Sequence, residues 1–210
     1  MASEKTYIFR PLKSLATWAR VLMIIQMVAT GIFMAVLITA LVMGSPVSFN
    51  GEDLSDFSAV ASLVALVSLA IKTVSGIVAM IWVYRAGCNT RALRPTLDFK
   101  PIWAIIWYFV PIAFLFKPYQ YMCQIWVTAH GPKDGRYAAD DRPVAIWWAL
   151  FIVGSISGNI AWRLPDPTAY TVLALISGGF GIFATLRFMD LVRIITQLQG
   201  DTDTRVADQF

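Results

Sequence analysis

The chain has 210 residues, of which 58% are hydrophobic and 14% charged, and its mean hydropathy is +0.64. A soluble domain carries about 45–50% apolar and about 25% charged residues, so these values exclude a disordered segment, a nucleic-acid-binding arm and a water-soluble globule. The net charge of +4 and pI near 9.2 then belong to the cytoplasmic loops of a membrane protein. Two cysteines and one histidine do not make a four-ligand zinc site, and nothing implies a cofactor.

Residues 1–20 read as a cytoplasmic amphipathic segment. Within it, Pro11–Arg20 is expected as a basic interfacial turn, with Leu12, Leu15 and Trp18 on one side and Lys13 and Arg20 toward headgroups. A spanning helix needs about 20 mostly apolar residues. Residues 21–43 meet that without a charge, and the run is too long for the apolar part of a cleaved leader. Residues 58–84 form the second span, closed by the interfacial aromatics Trp82 and Tyr84 and interrupted by Lys72. Residues 101–129 differ, because Pro111 and Pro118 break them into halves of ten or eleven residues. At 1.5 Å per residue neither half crosses the hydrocarbon core. Spans follow at 143–162, with Asp141 as N-cap and Pro143 in the first turn, and at 168–195, started by Asp166 and Pro167. Residues 198–210 are expected to be a frayed polar tail.

Counting cations sets the orientation. If residues 101–129 enter the bilayer and return, all of the 17 Lys and Arg residues except Arg163 and the in-span Lys72 share one side. The other side then carries Glu52, Asp53, Asp56 and Asp166. A full crossing would scatter the cations and erase this bias. The expected architecture is therefore all-α and polytopic. A single membrane domain over 21–197 holds four transmembrane helices and a proline-broken re-entrant hairpin, and both termini are cytoplasmic. Cys88 and Cys123 fall on the cytoplasmic side and are expected as thiols. Gly154 and Gly158 form a G-x-x-x-G pair, which lets neighbouring helices approach closely.

The stretch from Trp82 to Trp126 is the most distinctive. It reads W-V-Y-R-A-G-C-N-T-R-A-L, then F-K-P-I-W, W-Y-F-V-P-I and K-P-Y-Q-Y-M-C-Q-I-W. Trp82, Tyr84, Arg85, Ala86, Asn89, Leu93, Pro101, Trp103, Pro111, Ile112, Pro118, Tyr119 and Trp126 carry a resemblance to a bacterial family of four-helix membrane proteins, defined only as a domain of unknown function. The resemblance implies a bacterial inner membrane and a turn at the Y-R-A-x-x-N-x-x-x-L motif. It implies no activity. Phe114-Leu115-Phe116-Lys117 departs from the family pattern by supplying no hydrated link there.

Three features carry the functional expectations. Lys72 lies roughly 20 Å from either end of its span. A charge at that depth is expected to face the bundle interior or a wet cavity, with Gln26, Thr30, Ser68, Ser75 or Asn159 as partners. Arg85, Asn89 and Arg91 at the end of the second span, with Arg187 on the last, form a candidate lipid or anion site, and Arg85 is expected to pair with Asp190. The aromatics Trp103, Trp107, Tyr108, Tyr119, Tyr121, Trp126, Trp147 and Trp148 read as interfacial belts, and His130 as a surface residue. Catalytic motifs such as H-E-x-x-H, a P-loop or C-x-x-C are missing from the sequence. The first expectation is a non-enzymatic membrane module that binds lipid headgroups or a membrane-protein partner, with homo-oligomerisation open. The second is a solute or ion transporter that uses Lys72. A lipid-modifying enzyme ranks last.

Overall fold

A computed structural model of the chain describes residues 7–44, 56–97, 100–132 and 136–207, without the side chains of Asp56 and 202–207. The expectations for Lys5, Glu52, Asp53, Lys133 and the side chain of Arg205 lie outside the described residues. The elements are α1 (Lys13–Val42), α2 (Asp56–Leu93), α3 (Trp103–Ile106), α4 (Lys117–Ala129), α5 (Arg142–Ala161) and α6 (Pro167–Ala207). Four of them, α1, α2, α5 and α6, are long and apolar enough to cross a membrane. The chain is an all-helical membrane protein.

Helix lengths depart from the expected spans in one direction. At 1.5 Å per residue α2, with 38 residues, and α6, with 41, are about 57 and 61 Å long, against a hydrocarbon core of about 30 Å. The Y-R-A-x-x-N-x-x-x-L motif is therefore not a turn but the last turns of α2. The polar tail is likewise not frayed from residue 198, because α6 continues into it as far as Ala207 and buries Gln199. Nor is Pro11–Arg20 a separate interfacial turn. From Lys13 it is continuous with α1, and its packed stripe is Leu12, Ala16 and Ala19, while Trp18 is exposed. The small alanines mark the packed face, and the large aromatic is left outside.

Contacts divide the chain into two compact units. The first comprises Met1–Arg20, Gly76–Ile146 and Phe188–Phe210. The second comprises Val21–Ser75 and Trp147–Arg187. Within the second unit, Leu37, Ala161 and Tyr170 form one buried cluster, and Ala40 with Ala61 another. Gly154 and Gly158 do what their spacing predicts. The Ser177 hydroxyl donates to the Gly154 carbonyl at 2.8 Å. A Cβ at Gly158 would stand 2.8 Å from that hydroxyl oxygen. The Asp166 carboxylate accepts from the Ala169 amide at 2.6 Å and starts α6 as expected.

Within the first unit the proline-broken stretch is resolved into short pieces. α3 runs into a 3-10 turn at Trp107–Phe109, and a second 3-10 turn at Ala113–Leu115 precedes α4. Between them Ile112 has φ 66° and ψ −54°, and the Ala113 amide donates to the Pro111 carbonyl at 2.7 Å. This is a γ-turn of the positive-φ kind, which is rare and strained. A β-branched residue held there costs about 1–3 kcal/mol. α4 is amphipathic: Pro118, Tyr121, Met122, Ile125, Trp126 and Ala129 recur every three or four residues on its buried face.

Candidate functional site

The end of α2 is tied by side-chain hydrogen bonds to the N-terminal arm and to α6. Trp82, Ala86 and Asn89 fall at spacings of four and three, so they share one face, and all are buried. Asn89 uses its whole amide. Its Oδ1 accepts from the Arg10 backbone N–H at 3.0 Å, and its Nδ2 donates to the Arg10 carbonyl at 2.8 Å and to Gln199 Oε1 at 3.2 Å. The side chain thus pairs with one residue of extended backbone as a neighbouring strand would. Gln199 Nε2 in turn donates to the Ala86 carbonyl at 3.3 Å, and Thr90 Oγ1 donates to the same carbonyl at 2.9 Å. One turn earlier, Trp82 Nε1 donates to Thr196 Oγ1 at 3.2 Å, and its ring meets Phe188 edge-on. The small side chain of Ala86 leaves its carbonyl within reach of α6.

This geometry corrects the sequence reading of Asn89. Its amide contacts protein on every side, so it is a structural clamp and not a ligand for lipid or anion. The clamp was missed because its partners are a backbone segment 79 positions away and a glutamine 110 positions away. The polar residues within the supposed tail were the available signal.

The arginines divide in the same way. Arg91 donates through Nη1 to the carbonyls of Pro95 and Leu97, and so closes the chain after α2. The Arg94 guanidinium lies 4.2 Å from the centre of the Tyr137 ring. Asp190 pairs with Arg193 at 3.6 Å, one turn along its own helix. The expected ion pair of Arg85 with Asp190 is not formed among the described residues, since the carboxylate has a cation closer on α6. Arg187 is exposed and belongs to the second unit, whereas Arg85 and Arg91 belong to the first.

The first unit presents other cations. Arg10, Lys13, Arg20, Lys100 and Arg136 are exposed and make no ion pair with a described residue. Among described carboxylates, Asp140 pairs with Arg142 at 3.6 Å and accepts from the Arg142 amide. Asp141 accepts from the Tyr119 hydroxyl at 2.9 Å, so its side chain ties α4 to the start of α5, while its carbonyl accepts from the Ala145 amide. Trp126 Nε1 donates to the Asp140 carbonyl at 2.9 Å on the same seam. Burial pushes the Cys123 thiol up to about 11, and the hydrogen bonds to Cys123 and Asp141 push the Tyr119 phenol above its ordinary value. Cys88 and Cys123 are both free thiols. His130 Nδ1 lies 2.8 Å from the Trp126 carbonyl, and the two rings are in contact.

In the second unit Lys72 is exposed, although Ser75 and Ala61 on the same helix are buried. It makes no ion pair with a described residue, and none of the partners expected for it accepts a hydrogen bond from it. Among the described residues no three His, Cys, Asp or Glu side chains are grouped to hold a metal.

Residues 46–197 match the model of the domain of unknown function DUF4328. The chain belongs to that family. The match contains the whole Trp82–Trp126 stretch, all of α2 and α5 and most of α6. It leaves out α1 and two members of the clamp, Arg10 and Gln199. No curated protein and no solved structure matches the chain.

Proposed function

We propose that this DUF4328 protein is a non-enzymatic membrane module that holds anionic lipid headgroups on the cationic surface of its first unit. In this reading it sits in a bacterial inner membrane with both termini on the cytoplasmic side. The supporting observation is the set of exposed cations without carboxylate partners, Arg10, Lys13, Arg20, Lys100 and Arg136, within one compact unit. That unit also contains the helix ends Lys13, Leu93, Arg142 and Ala207. This favours a common side for them, and an excursion of residues 94–141 that starts and finishes on that side. Each Lys or Arg near an anionic surface contributes about 1 kcal/mol. Removing Arg10, Lys13 and Arg20 together therefore corresponds to about 3 kcal/mol, or roughly a hundredfold in affinity.

The test is selective retention of phosphatidylglycerol over phosphatidylcholine, read by native mass spectrometry from mixed-lipid nanodiscs. Wild type retains phosphatidylglycerol, and the variant with Arg10→Gln, Lys13→Gln and Arg20→Gln loses the preference. Equal retention of the two lipids by wild type, or an unchanged preference in the variant, would remove the reading.

A further inference from the structure

The break between α3 and α4 presents an apolar tip. Phe109 is 73% exposed, Ile112 76%, Leu115 48% and Phe116 42%. These side chains are not loosely scattered. The γ-turn at Ile112 holds the backbone, with Ala113 donating to Pro111 at 2.7 Å and Phe114 to Val110 at 2.9 Å. Trp103 and Trp107 stack with ring centres 4.6 Å apart on the approach to the tip. Lys117 closes it on the other side, its ammonium 5.8 Å from the ring centres of both Trp107 and Phe116.

We infer that Phe109–Phe116 is a shallow lipid anchor, which sinks its side chains into the boundary between headgroups and acyl chains and goes no deeper. Two physical constraints set the depth. First, irregular backbone survives deep in hydrocarbon only where protein or water covers it, and this tip is uncovered. The 13 residues of α4 reach only about 20 Å, so the segment has no means of crossing the core. Second, tryptophan prefers the headgroup level and lysine keeps its ammonium in water. Lys117 is one residue from Phe116, which holds the apolar set within about 5–10 Å of the polar surface.

The occupant is lipid and not a second copy or a soluble partner. The tip has the interfacial pattern of apolar end, aromatic collar and cationic rim, the rim being Lys117. It also lies in the unit that contains ends of all four long helices. This anchor goes beyond the headgroup reading and stands without it, because apolar insertion needs no anionic lipid.

The experiment uses the full chain with Cys88→Ser and Cys123→Ser, spin-labelled at Ile112→Cys or Lys117→Cys, in pure phosphatidylcholine vesicles. Collision with oxygen and with a water-soluble nickel chelate gives the depth of each label. The anchor predicts the Ile112 label just below the phosphates and the Lys117 label level with them. An Ile112 label at the bilayer centre, in water, or shielded from both reagents overturns it. Should these variants fail to fold, the unaltered chain and its Trp107→Phe variant are compared by quenching with brominated lipids. The difference signal must come from bromines near the headgroup, and quenching only by bromines near the chain end refutes the anchor.

Discussion

Replacing Asn89 by alanine removes three hydrogen bonds at once, two to the Arg10 backbone and one to Gln199. A typical bond contributes about 0.5–1.5 kcal/mol net, and a buried acceptor left without a donor costs about 1–3 kcal/mol. Arg10 is exposed, so water replaces the lost partner on its backbone at little cost. Gln199 is buried and its Oε1 keeps no such recourse. The expected loss is about 2–3 kcal/mol, concentrated where the N-terminal arm meets the end of α2. Hydrogen exchange reads this directly, because the Arg10 amide proton is itself one of the three donors. If local opening governs exchange, that amide speeds up roughly 30- to 150-fold in Asn89→Ala, since about 1.4 kcal/mol is a factor of ten. Amides in the second unit are unaffected. An unchanged Arg10 amide would refute the clamp, and uniform acceleration across the protein would show that Asn89 supports the whole fold.

Other outcomes follow from the same structure. Gly158→Ala drives a methyl to 2.8 Å from the Ser177 hydroxyl oxygen and displaces its bond to Gly154. A loss of about 1–3 kcal/mol is expected in detergent unfolding, and wild-type stability would count against the close approach of α5 and α6. Cys123, held near 11, has roughly 300-fold less thiolate at pH 7.5 than an ordinary thiol with pKa about 8.5. Its alkylation should be slow at neutral pH and rise about tenfold per pH unit toward 11. Because the folded value is raised, any stability linked to the neutral thiol is intact below the ordinary thiol range and lost as pH rises through about 11. Rapid neutral alkylation of folded protein would contradict that burial. Lys72→Leu removes a cation outside the first unit, so the phosphatidylglycerol preference should not change. A lost preference would move the lipid site to the second unit.

The four long helices were legible because lipid imposes a coarse rule, about 20 mostly apolar residues, and residues 21–43, 58–84, 143–162 and 168–195 obey it, the second despite Lys72 and the fourth with its charges confined to its last turns. The same rule hid where those helices stop. Hydropathy ends the second span at Tyr84, but backbone hydrogen bonding carries α2 to Leu93, and only there does Asn89 meet its partners. Its misreading has a general cause. A polar side chain beside arginines looks like part of an anion site until the backbone it bonds is known, and the Arg10 main chain has no sequence signature. Arg91 also bonds main chain that has no sequence signature, its Nη1 donating to the carbonyls of Pro95 and Leu97. Pro111 announced a break in the third apolar stretch. The positive φ at Ile112 was not legible, because isoleucine is among the residues least suited to it. Gly154 and Gly158 were readable because a missing side chain has one physical use in a packed helix pair.

On the proposed reading the cationic surface of the first unit lies on one side of the membrane. Single cysteines at Arg20, Arg136 and Arg193, each in the Cys88→Ser and Cys123→Ser background, sample the three chain segments that compose that unit. A membrane-impermeant maleimide applied to sealed right-side-out and inside-out vesicles assigns each position a side. All three are expected to react only in inside-out vesicles. Reaction of the Arg136 position from the opposite side to Arg20 and Arg193 would mean that residues 94–141 cross the bilayer, and the shared lipid-binding surface would no longer exist.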